Sequence, residues 1–481
     1  MKKIKSLIAL ILVGMIAVPN LVFAEPPAKP PGDFNGGSSS NISYKGATTF
    51  SSATTENNKT YVTDIGSQNA LLVSGGTSTI NTCKVTKSGD STGDDADFYG
   101  INAAILTYNG ATLNINGGQI TTNGSHANAV FAYGNGVINI SDATIKTTNN
   151  NSGALMVTGG GTLTANNVTA ETDGNSSAPI RSDRGGGTLT VNKGTYTSNG
   201  TGSPVIYSTA DITVNNATLK SNASEGVVVE GKNSVTLNGV TMEATNTKLN
   251  GNSETYKSIF IYQSMSGDAS VGDSTFTSKD SKITNNKGDV IFVTNTNTVI
   301  TLENNEMINN DSTGSFLKAT TAKWGTARSN GGNVTLNMIN QKVTGDIIID
   351  NISTLVLTMK NKSVLVGSID SDNQAKQVTL SLSSDSILSL TADTYLDKLE
   401  NEVNDNSNIY SNGKYKLYVD GKEVSINSET YDSSSNTKDD TTTNNNSNTN
   451  NNMIYYIVGG IIIVLLVVSG TVMLLKKKKQ N

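Results

Sequence analysis

The chain has 481 residues, only 16% of them charged, and 35 Lys+Arg stand against 40 Asp+Glu for a formal net charge of −5. No basic patch stands out, which argues against nucleic acid as a partner. A single His, a single Cys and a single Trp exclude His-rich zinc sites and any disulfide within the chain.

Residues 1–24 read as a secretory leader. Lys2, Lys3 and Lys5 precede an apolar run from Leu7 to Val18, and Val22-Phe23-Ala24 forms a small-residue cleavage site before Glu25. Residues 25–40, EPPAKPPGDFNGGSSS, are a Pro/Gly/Ser linker. A repeat then sets in near Asn41. Ten apolar clusters begin at Ala70, Ala103, Ala129, Ala154, Pro179, Pro204, Val227, Ser258, Asp289 and Ser315. Their steps are 33, 26, 25, 25, 25, 23, 31, 31 and 26 residues. Units of this length bury their apolar faces only against neighbouring units, as in a solenoid.

One unit, NAAILTYNGATLNINGGQITTNG from Asn102 to Gly124, divides into three short strands at Gly and Asn. Its alternation has the period of two expected of strands. Three strands per turn predict an all-β, right-handed parallel β-helix, with about ten long rungs over 41–332. LxxLxL repeats, hexapeptides and GGxGxD nonapeptides are absent from the sequence, which excludes the competing solenoids. Residues 333–426 carry shorter rungs, closed by a hairpin in KYKLYVDGKEVSI that turns at Asp420-Gly421. Residues 427–452 form a Ser/Thr/Asn/Asp-rich tether with a reach of about 30 Å. The uncharged stretch from Met453 to Leu475 is long enough to cross a bilayer, and Lys476 to Lys479 place residues 476–481 in the cytoplasm. The expectation is a single-pass cell-membrane protein with an extracellular N-terminal ectodomain. No LPxTG-like sorting motif precedes the apolar segment.

Aligning the units on their clusters gives an apolar column expected to point inward: Leu71, Ala104, Val130, Leu155, Ile180, Val205, Val228, Ile259, Val290 and Phe316. Charge interrupts the pattern at three adjacent units. Arg181, Asp183 and Arg184 come first, then Tyr207, Thr209 and Asp211, then Glu225, Glu230 and Lys232. Two readings stay open. Arg181, Asp183, Arg184 and Glu230 are candidates for a catalytic patch, with Tyr207, Asp211 and Lys232 as ligand contacts; equally, the same charges can form a salt-bridge ladder. Tyr108, Tyr133, Tyr207 and Tyr262 follow their clusters and are candidates for a sugar-stacking stripe or for ordinary sheet packing. Asp94, Asp95 and Asp97 are calcium candidates, but the spacing is not that of an EF-hand, and the alternative is a solvated acidic turn. No other cofactor is expected. His126 reads as a solvated loop residue, Cys83 as a small apolar strand residue, and Trp324 as a loop anchor.

The strings SSAPIRSDRGGGTLTV, SPVIYSTADITV and GVVVEGKNSVTLNGV resemble those of secreted, adhesin-like right-handed β-helix proteins of Gram-positive bacteria. The resemblance spans roughly residues 60–320 and implies a surface-exposed, pectate-lyase-like fold without catalytic residues to carry over. The expected function is a membrane-anchored, adhesin-like surface protein that binds glycans or surface partners or serves as a structural rod. A polysaccharide lyase or hydrolase using the charged patch is the alternative.

Overall fold

The computed structural model describes residues 42–432. The leader, the linker, the tether beyond 432, the expected membrane segment and the basic tail lie outside them. Among the described residues no helix is long and apolar enough to cross a membrane.

The repeat winds into a parallel β-solenoid of about 15 turns. That exceeds the ten clusters because the winding starts earlier, with β1 (Gly46–Phe50), β2 (Thr55–Asn57) and β3 (Thr60–Thr63), and continues through the shorter units after Gly332. Each turn has three legs, as in Val130–Tyr133, Val137–Ser141 and Thr144–Thr147. The first legs stack into a 12-stranded parallel sheet. The second and third legs often run on as one strand, such as Gly161–Thr172, broken by a left-handed residue at the corner. Thr82, Asp142, Asn167 and Asn216 hold that corner at φ of 53°, 52°, 54° and 53°. Asn and Asp tolerate the conformation because their side chains bond locally, and here Asn167 Nδ2 also donates to Asp142 Oδ1 of the neighbouring turn at 2.7 Å. In the unit between Thr82 and Asp142 the corner falls to Gly117 (φ 69°), and Gly118 follows at φ 99°, where a Cβ would lie 2.2 Å from the Cys83 carbonyl.

Inward residues stack turn upon turn. Leu113, Ile138, Leu163, Leu189, Ile212, Val235, Phe276 and Ile300 form one such column, all buried. Each contributes roughly 1.5–3 kcal/mol by leaving water. A buried serine column closes the last corner. Ser152 Oγ accepts from Ala127 N, Ser177 Oγ from Ser152 N, and Ser203 Oγ from Ser177 N, at 2.8–3.0 Å. An apolar group there would strand these amides.

The register departs from the aligned column at five units. The stacked residues are Leu71, Ile105, Val130, Leu155, Ile180, Ile206, Val227, Ile259, Ile291 and Leu317. Val228 consequently faces outward, between Tyr207 and Phe260. The first legs are apolar on both sides, so alternation carried no information about which residue points in.

At the far end Leu417–Val419 and Lys422–Val424 pair antiparallel through Asp420 (φ 48°) and Gly421 (φ 69°), the expected hairpin cap.

Candidate functional site

The outer face of the 12-stranded sheet explains why its legs are apolar on both sides. Its outward column runs Leu72, Leu106, Phe131, Met156, Arg181, Tyr207, Val228, Phe260, Phe292. Insertions between units cover both apolar ends. Over the first end lies the segment carrying α1 (Asp94–Tyr99), a short helix where an acidic turn was expected. Its Tyr99 packs edge-on against Tyr133 at 5.4 Å, and Tyr108 and Tyr133 gather with Tyr44. Over the second end Trp324 packs on Tyr262 and Phe260 at 4.6 and 5.8 Å, anchoring its loop.

The charged residues fill the gap between these two apolar clusters. Arg181 Nη2 donates to Asp183 Oδ2 at 2.9 Å, and Nη1 donates to the Ser176 carbonyl at 2.9 Å. Glu230 is 1% exposed. Its Oε2 accepts from Tyr207 Oη at 2.6 Å and Tyr262 Oη at 2.8 Å, and its Oε1 accepts from Ser264 Oγ. Arg184 ties the cover together: Nη1 reaches Asp94 of α1 and Nε reaches Asp268 of the second insertion, both at 2.7 Å, with its guanidinium 3.9 Å above the Phe98 ring. Glu225 pairs with buried Lys257 at 3.1 Å.

The structure thus gathers Arg181, Asp183, Arg184, Tyr207, Glu230 and Tyr262. Tyr108 and Tyr133 lie on the same face in the neighbouring aromatic cluster, Lys232 is exposed beside Gly272, and Asp211 belongs to a different sheet. Asp94 is spent on Arg184 and Asp97 on His126, and among the described residues no three His, Cys, Asp or Glu side chains are placed to hold a metal ion. His126 is not a solvated loop residue. Asn151 Nδ2 donates to its Nε2 at 3.0 Å, which leaves the Nδ1 proton for Asp97 at 2.7 Å and pins α1 to the solenoid. The sequence concealed Ser264, Asp268 and this His126 clasp, because all three act across turns.

Burial pushes the Asp183 carboxyl up to about 6 from 3.8, outweighing the pull of Arg181, and burial raises Glu230 against its three hydroxyl donors. A group whose pKa is higher in the folded than in the unfolded state stabilises the fold fully below its unfolded value and loses that contribution as pH rises through its folded value. Asp183 accordingly contributes on the order of 3 kcal/mol below about pH 3 that is lost as pH rises through 6. Urea titrations at several pH values should show the Asp183→Asn variant losing this slope between pH 4 and 6, while wild type keeps it.

A second surface is open to solvent. The second legs present parallel ranks of side chains along the axis. One rank is Thr112, Val137, Thr162, Thr188, Asp211, Ser234; the next is Asn114, Asn139, Thr164, Thr190, Thr213, Thr236. Neighbours within a rank lie about 4.8 Å apart, and the ranks about 7 Å apart. A third rank of asparagines is internally bonded: Asn192 to Asn166, Asn215 to Asn192 and Asn238 to Asn215, each at 2.9 Å. Thr164, Thr190, Thr213 and Thr236 have no side-chain hydrogen bond to the protein among the described residues. Over these six turns Asp211 is the one charged member of the three ranks. The pattern was visible as TLNIN, VINIS, TLTAN, TLTVN, DITVN and SVTLN at a near-constant offset from the clusters.

A cleft of about 120 Å³ near the hairpin cap is lined by Asp370, Tyr395, Asp397, Tyr418 and Asp420. Its Asp370 and Asp397 carboxylates already accept backbone amides of Gln374, Ala375 and Val378.

No family model, no curated protein and no solved structure matches the chain.

Proposed function

We propose that this chain acts by binding, as a surface-displayed rod whose Thr/Asn face takes a neutral, repeating polysaccharide laid along the solenoid axis. The observation that carries this reading is the set of aligned threonine hydroxyls, free of protein partners and repeated at the rise of the solenoid. Hydroxyl and amide groups both donate and accept, as sugar hydroxyls do, and the threonine methyls suit the C–H faces of sugar rings. There are almost no charges to desolvate. Each contact contributes about 0.5–1.5 kcal/mol, and affinity comes from engaging many turns at once. The adhesin-like resemblance and the expected extracellular location fit the same role.

Lyase or hydrolase chemistry is the second reading, favoured by the raised Asp183 and Glu230 beside Arg181. Against it, every one of those groups is bonded and covered.

Pull-down of the purified chain on insoluble neutral polysaccharides separates the two. The Thr190→Glu/Thr213→Glu variant should bind at least tenfold more weakly, since it places charge mid-face. Undiminished binding by that variant overturns the proposal. Release of soluble sugar that Glu230→Gln abolishes would establish the enzyme instead.

A further inference from the structure

The third legs of the turns carry an uncharged rank of their own. Just past the corner Thr144, Thr169, Thr195, Thr218 and Thr241 stack one above the next, one threonine per turn. All five are exposed, and none has a side-chain hydrogen bond to the protein among the described residues. At about 4.8 Å per turn the rank runs roughly 19 Å along the axis.

Threonine suits an exposed strand position in any turn, yet this rank is confined. The same position holds Lys84 and Gln119 in the two turns before it. In the three turns after it stand Lys282, Glu306 and Lys342. The second-leg face changes at the same place, where its asparagine rank gives way to Lys279 and Glu303. Lys279 pairs with Glu303 and Lys282 with Glu306 across one turn, both at 2.8 Å. Charge therefore closes both uncharged tracks in the same two turns.

The two tracks are separate surfaces. Between them the chain bends at Asp142, Asn167, Lys193, Asn216 and Gly239, all left-handed with φ between 52° and 62°. Outward side chains of the second and third legs consequently face different directions, with the exposed corner residues as a ridge between them. On the far side of the threonines the next outward rank is Lys146, Glu171, Thr197, Lys220 and Glu243. Its cations balance its anions, and Lys146 is bonded to Glu171 and Asp173 at 2.7 and 2.6 Å.

We infer that the third-leg face is a second track for a neutral polysaccharide, so that one rod cross-links two chains. This role rests on the polysaccharide-binding reading above and extends it: a rod with one track coats a polysaccharide, and a rod with two gathers it. The occupant follows from the chemistry of the face. Its balanced charges give a charged polymer no net attraction. Its free hydroxyls donate and accept as sugar hydroxyls do. With one rank of hydroxyls against two on the second leg, the third-leg track is the weaker, and it takes the second chain.

A two-step capture tests this. The purified full chain is loaded onto the insoluble neutral polysaccharide chosen by pull-down, and the washed solid is offered fluorescent soluble fragments of the same polysaccharide. Protein on the solid measures binding, and fluorescence retained above that of the bare solid measures cross-linking. Wild type should retain fragments in proportion to the protein loaded. Thr169→Glu/Thr218→Glu should load within about twofold of wild type yet retain at least tenfold fewer fragments, because the charges must be desolvated mid-track. Thr169→Lys/Thr218→Lys should lose retention equally, as a neutral ligand requires. Wild type that loads but retains no fragments overturns the cross-linking role and leaves polysaccharide binding standing. Retention that either variant leaves intact or raises overturns it too. Wild type that loads onto no neutral polysaccharide overturns both.

Discussion

Arg181→Ala should destabilise the turns around it by about 3–5 kcal/mol near neutral pH, because it removes the charge that balances the Asp183 carboxylate in a covered site. Arg181 Nη2 donates to Asp183 Oδ2 at 2.9 Å, the Arg184 amide donates to Oδ1 at 3.1 Å, and the Arg181 and Asp183 side chains are 12% and 5% exposed. The loss should shrink toward pH 5, where Asp183, already raised to about 6 beside Arg181, takes up a proton. Replacing both residues, Arg181→Leu/Asp183→Leu, should recover most of the stability, since well-packed apolar residues commonly match a buried pair. Hydrogen exchange on the amides of Tyr207 and Met156, one turn to either side, localises the effect. An Arg181→Ala chain as stable as wild type at neutral pH would show that Asp183 finds water or another cation.

Phe276→Ala should cost a comparable 3–5 kcal/mol through the cavity it leaves. The ring is fully buried between Val235 of one turn and Ile300 of the next. A solenoid is held by nearest-neighbour interfaces, so this one change weakens the coupling on both sides. The expected result is two urea transitions in place of one, and proteolysis near the damaged turn that leaves the flanking halves protected. A single transition shifted as a block would mean that coupling extends well beyond adjacent turns.

These two positions differ in how legible they were. Phe276 sits in STFTS, where strict alternation identifies an inward residue directly. Arg181 stood out as one of three arginines in the chain, and its proximity to Asp183 follows from two-residue spacing along a strand. What could not be read was its cover. Asp94 and Asp268 reach Arg184 from 90 and 84 residues away, and local spacing carries no trace of such contacts. Val228 shows the same limit from another side: in VVVE every residue is buried, so composition gave no register.

By itself the sequence determined the repeat, the three-legged parallel solenoid, the hairpin cap and the position of the charged interruption. All of these arise from local periodicity, turn residues and the need of each unit to bury its apolar face on the next. Only the tertiary structure decided which side of each leg faces the core, that the charged cluster is roofed, and that His126 holds that roof. Those outcomes depend on insertions folding back over a sheet already apolar on both faces. Contacts of that kind are set by three-dimensional stacking, which residue order along a strand does not encode.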